Sequence, residues 1–310
     1  MDGIRYVKLQ GLNSDLRCEK LLDAAFSIPE YTRNFPHIFQ SSSSASLFGG
    51  FDSSGRMIAM CAVDSEIWSE PCYLRGACIG SVAVHPMHQR RGFGQTLLKW
   101  VIDQLLKEDR YDFIYLFSDQ PQFYESIGFR QCGTERLFAP RSEAPSPASH
   151  ELIYRKPVLV SELTERQKLS LWSGLERGRL KGESHSCWLK FCEVVKIPEM
   201  LVSWIESSGG DFLAGAFVGK GVDFNGVAHT FFAENDLCLE LFWREFNSHL
   251  KRTGSEVLVA PGLWFGRMKN YLDERVKQTL CLVYERQGSP LNTGQLIDDQ
   301  KIYPRALFSS

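Results

Sequence analysis

Residues 79–98 read Ile-Gly-Ser-Val-Ala-Val-His-Pro-Met-His-Gln-Arg-Arg-Gly-Phe-Gly-Gln-Thr-Leu-Leu and leave the chain little choice of local structure. The β-branched run is a strand that stops at Pro86, because proline has no N–H to give to a ladder. Gln89-Arg90-Arg91-Gly92-Phe93-Gly94 follows at once. Phe93, Leu97, Leu98, Val101, Ile102, Leu105 and Leu106 then recur at helical spacing as far as about Lys107. A strand, a glycine-bearing turn and an amphipathic helix thus succeed one another directly. The first N–H groups of a helix have no internal partners, and with the helix dipole they favour an anionic group such as a phosphate. Glycines let backbone approach a ligand closely, and Arg90 and Arg91 add charge at the same place.

The elements around this segment alternate in kind. A strand at Ile4–Leu9 precedes a helix that Ser14 or Asp15 can cap, with Leu21, Leu22, Ala25 and Phe26 on its apolar face. A short helix follows Pro29. Three β-rich runs come next, Ser46–Phe51, Met57–Trp68 and Tyr73–Val84, the first two joined by the turn residues Asp52-Ser53-Ser54-Gly55. After the long helix, a strand at Phe113–Phe117, a short helix near Gln120–Ile127 and a strand from Phe129 are expected. Strands early and βαβα later predict an α/β (mixed α+β) fold, a mixed sheet with helices on both faces.

Length suggests two such units in 310 residues. Ala139–Ser149 holds three prolines and three serines, a composition that excludes a helix or a central strand and reads as a loop or linker. His150–Lys156 then reads as a strand able to close the first sheet, which places the boundary near 156 and gives units 1–156 and 157–310. The second unit repeats the order of the first. Strands at Phe212–Val218 and Phe224–Phe232 precede a helix at Leu237–Lys251. A strand at Glu256–Ala260, a short helix near Phe265–Leu272 and a strand at Val276–Glu285 follow.

Charge and cysteine usage narrow the function classes. Lys+Arg total 35 against Asp+Glu 37, so no positive excess drives binding to nucleic acid or to a membrane surface. The longest apolar run, Met57–Val63, is far short of the roughly 18 residues that cross a bilayer. The start, Met-Asp-Gly-Ile-Arg, lacks the pattern of a signal peptide. Nine cysteines, none in a CxxC pair, suit reduced structural thiols rather than a metal site, and no metal is expected. The chain reads as soluble and cytoplasmic.

The segment from Val82-Ala83-Val84 through Pro86 to Gln89, Gly92 and Gly94 resembles the acetyl-CoA loop of the GNAT superfamily of N-acetyltransferases. Phe123-Tyr124-Glu125-Ser126-Ile127-Gly128-Phe129 resembles that family's second hallmark at the right separation. The likeness covers roughly residues 1–156. It implies a twisted mixed sheet flanked by helices and splayed between its fourth and fifth strands, with acetyl-CoA in the splay. It further implies that the pantetheine arm pairs with Val82, Ala83 and Val84. The pyrophosphate would sit on the backbone of Arg90, Arg91, Gly92, Phe93, Gly94 and Gln95, with Gln89 in the same motif. Ser118, Asp119 and Phe123 would lie near the cofactor, and Tyr124 would protonate the departing thiolate. The aromatic segment Tyr31–Phe39 would wall the acceptor site. The reaction implied is direct attack of a primary amine, on a small molecule or a peptide, in a ternary complex.

The residues themselves leave the general base open. Asp64 and Glu66 lie in an otherwise apolar strand and are candidates, although a solvent-facing strand position explains them equally simply. His85 and His88 read as surface residues of the loop. A non-catalytic acyl-CoA sensor is the competing reading, which would keep Gly92 and Gly94 without needing Tyr124. In the second unit the matching junction is Phe231-Phe-Ala-Glu234-Asn-Asp236, without glycine or basic residues. Acidic groups there repel a phosphate, so no cofactor site is expected. Gly219-Lys-Gly-Val-Asp223 lacks phosphate-loop spacing and reads as a hairpin turn. The acceptor and the oligomeric state, homo-oligomer included, stay open.

Overall fold

The computed structural model describes residues 3–9, 16–40, 43–68, 73–140, 152–178, 184, 187–221, 223–259, 272–285 and 292–298. In the first half, β1 (Arg5–Leu9) is followed by α1 (Leu16–Phe26), α2 (Tyr31–Asn34) and α3 (Pro36–Phe39). Then come β2 (Ser46–Phe51), β3 (Met57–Trp68), β4 (Leu74–Val84), α4 (Phe93–Lys107), β5 (Phe113–Leu116), α5 (Pro121–Glu125) and β6 (Arg130–Pro140). The second half opens with β7 (Ile153–Leu159), α6 (Glu165–Arg177), α7 (Trp188–Val194) and β8 (Leu201–Glu206). It continues with β9 (Phe212–Lys220), β10 (Asp223–Ala233), α8 (Asp236–Thr253), β11 (Glu256–Val259), β12 (Leu272–Glu285) and α9 (Thr293–Asp298). The mixed α/β class and the repeated element order agree with the sequence reading. The Ser14/Asp15 cap and residues 265–271 of the expected Phe265–Leu272 helix lie outside the described residues, and Leu272 opens β12.

Among the described residues, twelve strands form one sheet, ordered β1-β2-β3-β4-β5-β12-β6-β11-β10-β9-β8-β7. Most neighbours are antiparallel; β4 runs parallel to β5, and β10 parallel to β11. Apolar side chains on both faces explain the unbroken hydrophobic runs in β3 and β4. One face of β2–β5 packs on Leu97, Leu98, Val101, Ile102 and Leu105 of α4. The opposite face packs on Leu21 and Leu22 of α1 and on Tyr31, Phe35 and Phe39 around α2 and α3. The second half repeats this, with α8 on one face and α6 and α7 on the other.

The seam between the halves departs from expectation. β12, from the end of the chain, enters between β5 and β6, with Leu282↔Leu116 and Cys281↔Cys132 among its partners. In return β6 pairs with β11 of the second half through Phe138↔Val257. Each half therefore contributes a strand beside the other's parallel pair. The expected strand at 150–156 exists, shifted to Ile153–Leu159, but it pairs with β8 at the far edge of the sheet. It opens the second half instead of closing the first, because a short alternating run says nothing about which sheet edge receives it. Ala139 and Pro140, expected in a loop, are the last residues of β6, a central strand. Proline is tolerated there because the missing N–H falls at the strand's end.

Candidate functional site

The site begins with a fault in β4. Gly80 faces Ala62 and Ala83 faces Met60, so β4 carries one more residue than β3 over this stretch. Ser81 takes up the excess with φ +48°, the signature of a β-bulge. On its other edge β4 pairs with β5 only from Gly76↔Phe113 to Cys78↔Tyr115. Beyond Cys78 the strands part, and the backbone of Val82, Ala83 and Val84 faces the resulting splay.

The chain then turns sharply into α4. The His85 N–H donates to the Ile58 carbonyl (2.9 Å), and the His85 ring nitrogen Nδ1 accepts from the Met87 N–H (3.3 Å). Both His85 and His88 are half-buried rather than exposed. The Gln89 amide donates to the Val84 carbonyl (3.1 Å), which ties the loop to the end of the strand. Arg90 (φ +58°) and Gly92 (φ +82°) are both left-handed. Such turns direct successive N–H groups into a concavity suited to an anion. The first N–H to close onto the helix is that of Thr96, on the Gly92 carbonyl (3.0 Å). The N–H groups of Phe93, Gly94 and Gln95 precede it. A Cβ on Gly92 would meet nothing within 4 Å, so the space before the helix is open. At Gly94 a Cβ would lie 3.2 Å from Val84 and 3.4 Å from Phe123, so this glycine sets how closely loop, strand and α5 meet.

α5 is locked to the loop. Gln95 donates to the Ser126 hydroxyl (2.9 Å), which donates to the Phe123 carbonyl (2.5 Å). Tyr124 is buried, with its ring 4.9 Å from Phe123 and 6.0 Å from Phe129. Burial pushes its phenol up to about 12, against a hydrogen bond with Ser118 that lowers it. Ser118 accepts the Gln120 N–H (3.0 Å), and Asp119 beside it is exposed.

On the opposite side of the splay, the Tyr31 hydroxyl lies 3.4 Å from that of Ser81, so the aromatic wall at 31–39 touches the bulge itself. Tyr31, Phe35 and Phe39 are also core residues. Wall and core are therefore one structure here.

Asp64 and Glu66 do not face solvent. They are 2% and 1% exposed, while Ser65 and Ile67 take the outward positions. Lys190 of α7 forms an ion pair with Asp64 (2.5 Å) and lies 3.9 Å from Glu66. Burial raises the Glu66 carboxyl above its usual range, and Lys190 opposes the rise. No local pattern announces Lys190, because only the assembled fold brings α7 onto this face.

In the second half the geometry of the sheet is kept, while the start of the helix differs. β10 bulges at Thr230 (φ +47°) and pairs with β11 only as far as Ala228↔Val257, reproducing the splay. At the start of α8, however, the Asn235 side chain itself accepts the Cys238 N–H (2.9 Å), and Asp236 occupies the first turn. Gly219 and Gly221, both at positive φ, turn β9 into β10 as a hairpin.

The first half thus combines a bulged, splayed mixed sheet with a glycine-bearing, basic turn at the mouth of a helix. Residues 50–131 match the acetyltransferase (GNAT) domain family. The matched residues run from the end of β2 into β6, within the first half of the chain. A probable N-acyltransferase from Enterococcus faecalis superposes with TM-score 0.67 at 13% identity, over 91% of this chain and 72% of that one. A GCN5-related N-acetyltransferase from Anabaena variabilis gives 0.66 at 10% identity, over 91% and 72%. A tandem GNAT protein from the clavulanic acid biosynthesis pathway gives 0.54 at 13% identity, over 91% and 98%. At these identities the likeness is one of fold.

Proposed function

We propose that the first half transfers an acetyl group from acetyl-CoA to a primary amine, on a small molecule or a peptide, by direct attack in a ternary complex. One observation carries the reading. The basic turn, with open space before Gly92, adjoins the splay and is bonded through Gln95 and Ser126 to the helix that holds Tyr124. The turn would take the pyrophosphate, and strand N–H groups at Val82–Val84 would pair with the pantetheine arm and polarise the thioester carbonyl.

Tyr124 would act at the sulfur. A phenol at about 12 stays protonated at every working pH, and full transfer to a thiolate with the thiol reference pKa near 8.5 is uphill. Its contribution is therefore a hydrogen bond that strengthens as charge builds on the sulfur. An amine arriving as ammonium would give one proton to Asp64 and Glu66 before it attacks, and its second proton would leave with the sulfur. Burial makes Glu66 hold a proton more readily than an exposed carboxyl does, the direction that strengthens a base.

The test is a panel of amines with acetyl-CoA, read by thiol release. Release with at least one amine supports the enzyme. CoA binding without release from any amine would favour the acyl-CoA sensor.

A further inference from the structure

On the face of β3–β5 covered by α1–α3, side chains from both halves converge on one polar cluster. Asp64 and Glu66 come from β3, Cys78 from β4, Tyr115 from β5 and His37 from α3. Lys190 comes from α7, Lys220 from β9, and Ser184 lies beside Glu66. Neither ring nitrogen of His37 has a hydrogen-bond partner among the described residues, although the residue is 2% exposed. Asp64 stands across from Cys78, the last residue of β4 paired with β5. The cluster therefore lies at the foot of the splay, on the side walled by Tyr31. The second half also braces that wall: a Cβ on Gly221 would lie 3.3 Å from the Asn34 carbonyl, and Lys196 reaches Gln40 (3.4 Å).

We propose that Lys190, carried by the second half, is a positioning residue for the first half's acceptor site, holding Asp64 and Glu66 as one fixed proton-accepting unit at the foot of the splay. This rests on the amine-acetylation reading above. An amine arrives as an ammonium and must lose a proton before it attacks; the carboxylate unit takes that proton and later passes it to water. Attack then forms the C–N bond and breaks the C–S bond, and the nitrogen's second proton leaves with the sulfur. Lys190 fixes the Asp64 carboxylate and counters the burial that drives Glu66 to its neutral form. His37 stays neutral because burial, then Lys220 and Lys190, lower its pKa. A buried ion pair that served only to join the halves could be replaced by apolar residues without loss, since burying two charges offsets much of their attraction.

That contrast supplies the experiment, in the full chain. Asp64→Leu/Lys190→Met, Lys190→Met and Lys190→Arg are compared with wild type. Thiol release is followed with the best amine of the panel from about pH 6 to 9, beside the acetyl-CoA Kd and the Tm. The double variant is expected to fold and keep its Kd within about twofold, while kcat/KM for the amine falls about 10²-fold, the low end for lost acid–base catalysis. In Lys190→Met the acid limb should move to higher pH, because Glu66 loses the charge that opposes its burial. A folded double variant with wild-type kcat/KM would overturn the proposal and leave the pair as an adhesive between halves. A parallel loss of acetyl-CoA affinity would overturn it as well. If the double variant does not fold, Lys190→Arg decides: kcat lowered at least about threefold at constant acetyl-CoA KM supports the role, and an unchanged kcat and pH profile refutes it. A wild-type chain that binds CoA but acetylates no amine refutes the enzyme reading itself, an outcome distinct from the others.

Discussion

Gly92 and Tyr124 make opposite demands on their surroundings. Gly92 is exposed at positive φ with empty space beyond its Cα, so Gly92→Asp meets no steric obstacle. Aspartate also tolerates the left-handed region at modest cost. The carboxylate would stand where the proposed function places the pyrophosphate. Losing two charge-assisted hydrogen bonds, at about 1.5–3 kcal/mol each, should weaken CoA binding at least about 100-fold. Calorimetry with CoA checks this, and the Tm should hardly move. Tyr124→Phe keeps the ring between Phe123 and Phe129 and removes only the hydroxyl. An acetyl-CoA Kd near wild type with kcat lowered about 10²-fold, the low end for losing one donor to developing charge, is expected by steady-state kinetics. A reference phenol would place an alkaline limb near pH 10, but burial pushes this one up to about 12. No alkaline limb from Tyr124 should appear below about pH 11 in the wild type. A third expectation concerns stability. His229 is fully buried, with Nε2 3.1 Å from the Gly219 carbonyl, and burial lowers its pKa to about 4. A depressed folded-state pKa stabilises fully above the unfolded value of 6.5 and is lost as pH falls from there towards 4. The loss is of order 3 kcal/mol at about 1.36 kcal/mol per unit. Glu66, raised by burial, runs the other way, losing stability as pH rises above 4.5. The difference between wild type and His229→Gln in urea unfolding at pH 7 and pH 5 isolates the histidine. An equal pH slope in both would contradict its neutral burial.

At the scale of elements, the proposed cofactor side is a single strand–turn–helix unit with α5 latched to it. Gly94 is the point of closest approach. Gly94→Leu would force its side chain into Val84 and Phe123, which sit 3.2 Å and 3.4 Å from a bare Cβ. Overpacking of this kind costs about 1–3 kcal/mol. A lower Tm together with an acetyl-CoA Kd raised at least about tenfold is expected from thermal melts and calorimetry. This part of the molecule was legible in the sequence because its determinants are local: Pro86 ends the strand, Gly92 opens the helix, and the apolar stripe of α4 fixes its buried face. The side-chain cap of α8 was legible for the same reason, Asn235 and Asp236 being neighbours of the helix they begin. The acceptor side was not. Asp64 and Glu66 stood out in β3, but their burial depends on Lys190 from α7, and no local pattern announces a partner so distant in sequence. The bulges at Ser81 and Thr230 were equally hidden, since neither residue type favours positive φ.

For the whole molecule, the crossed strands decide what counts as a folding unit. Composition and element order suggested two independent domains, and a natural experiment would be to ask whether 157–310 alone binds acetyl-CoA. Such a fragment would lack β6, leaving β11 without its neighbour at Phe138↔Val257 and β12 without its partners from Leu272↔Pro140 to Val283↔Arg130. The fragment 1–156 would lack β12 and expose β5, whose Phe113, Ile114, Tyr115 and Leu116 are all buried. Each buried backbone group stranded without a partner costs about 1–3 kcal/mol, and several lost together exceed the roughly 5–15 kcal/mol that holds an ordinary protein folded. Neither fragment should therefore unfold cooperatively alone, and neither should bind CoA. Mixed or co-expressed, the two should restore one transition in urea, because all the pairings are available between separate chains. The intact protein should bind CoA with a stoichiometry of one in calorimetry, since the second splay has no receptive turn. Deleting residues 272–310 should abolish CoA binding although no residue of the loop at 89–95 is touched. A fragment 1–156 that melts cooperatively and binds CoA at wild-type affinity would show that the strand exchange is dispensable to the first half.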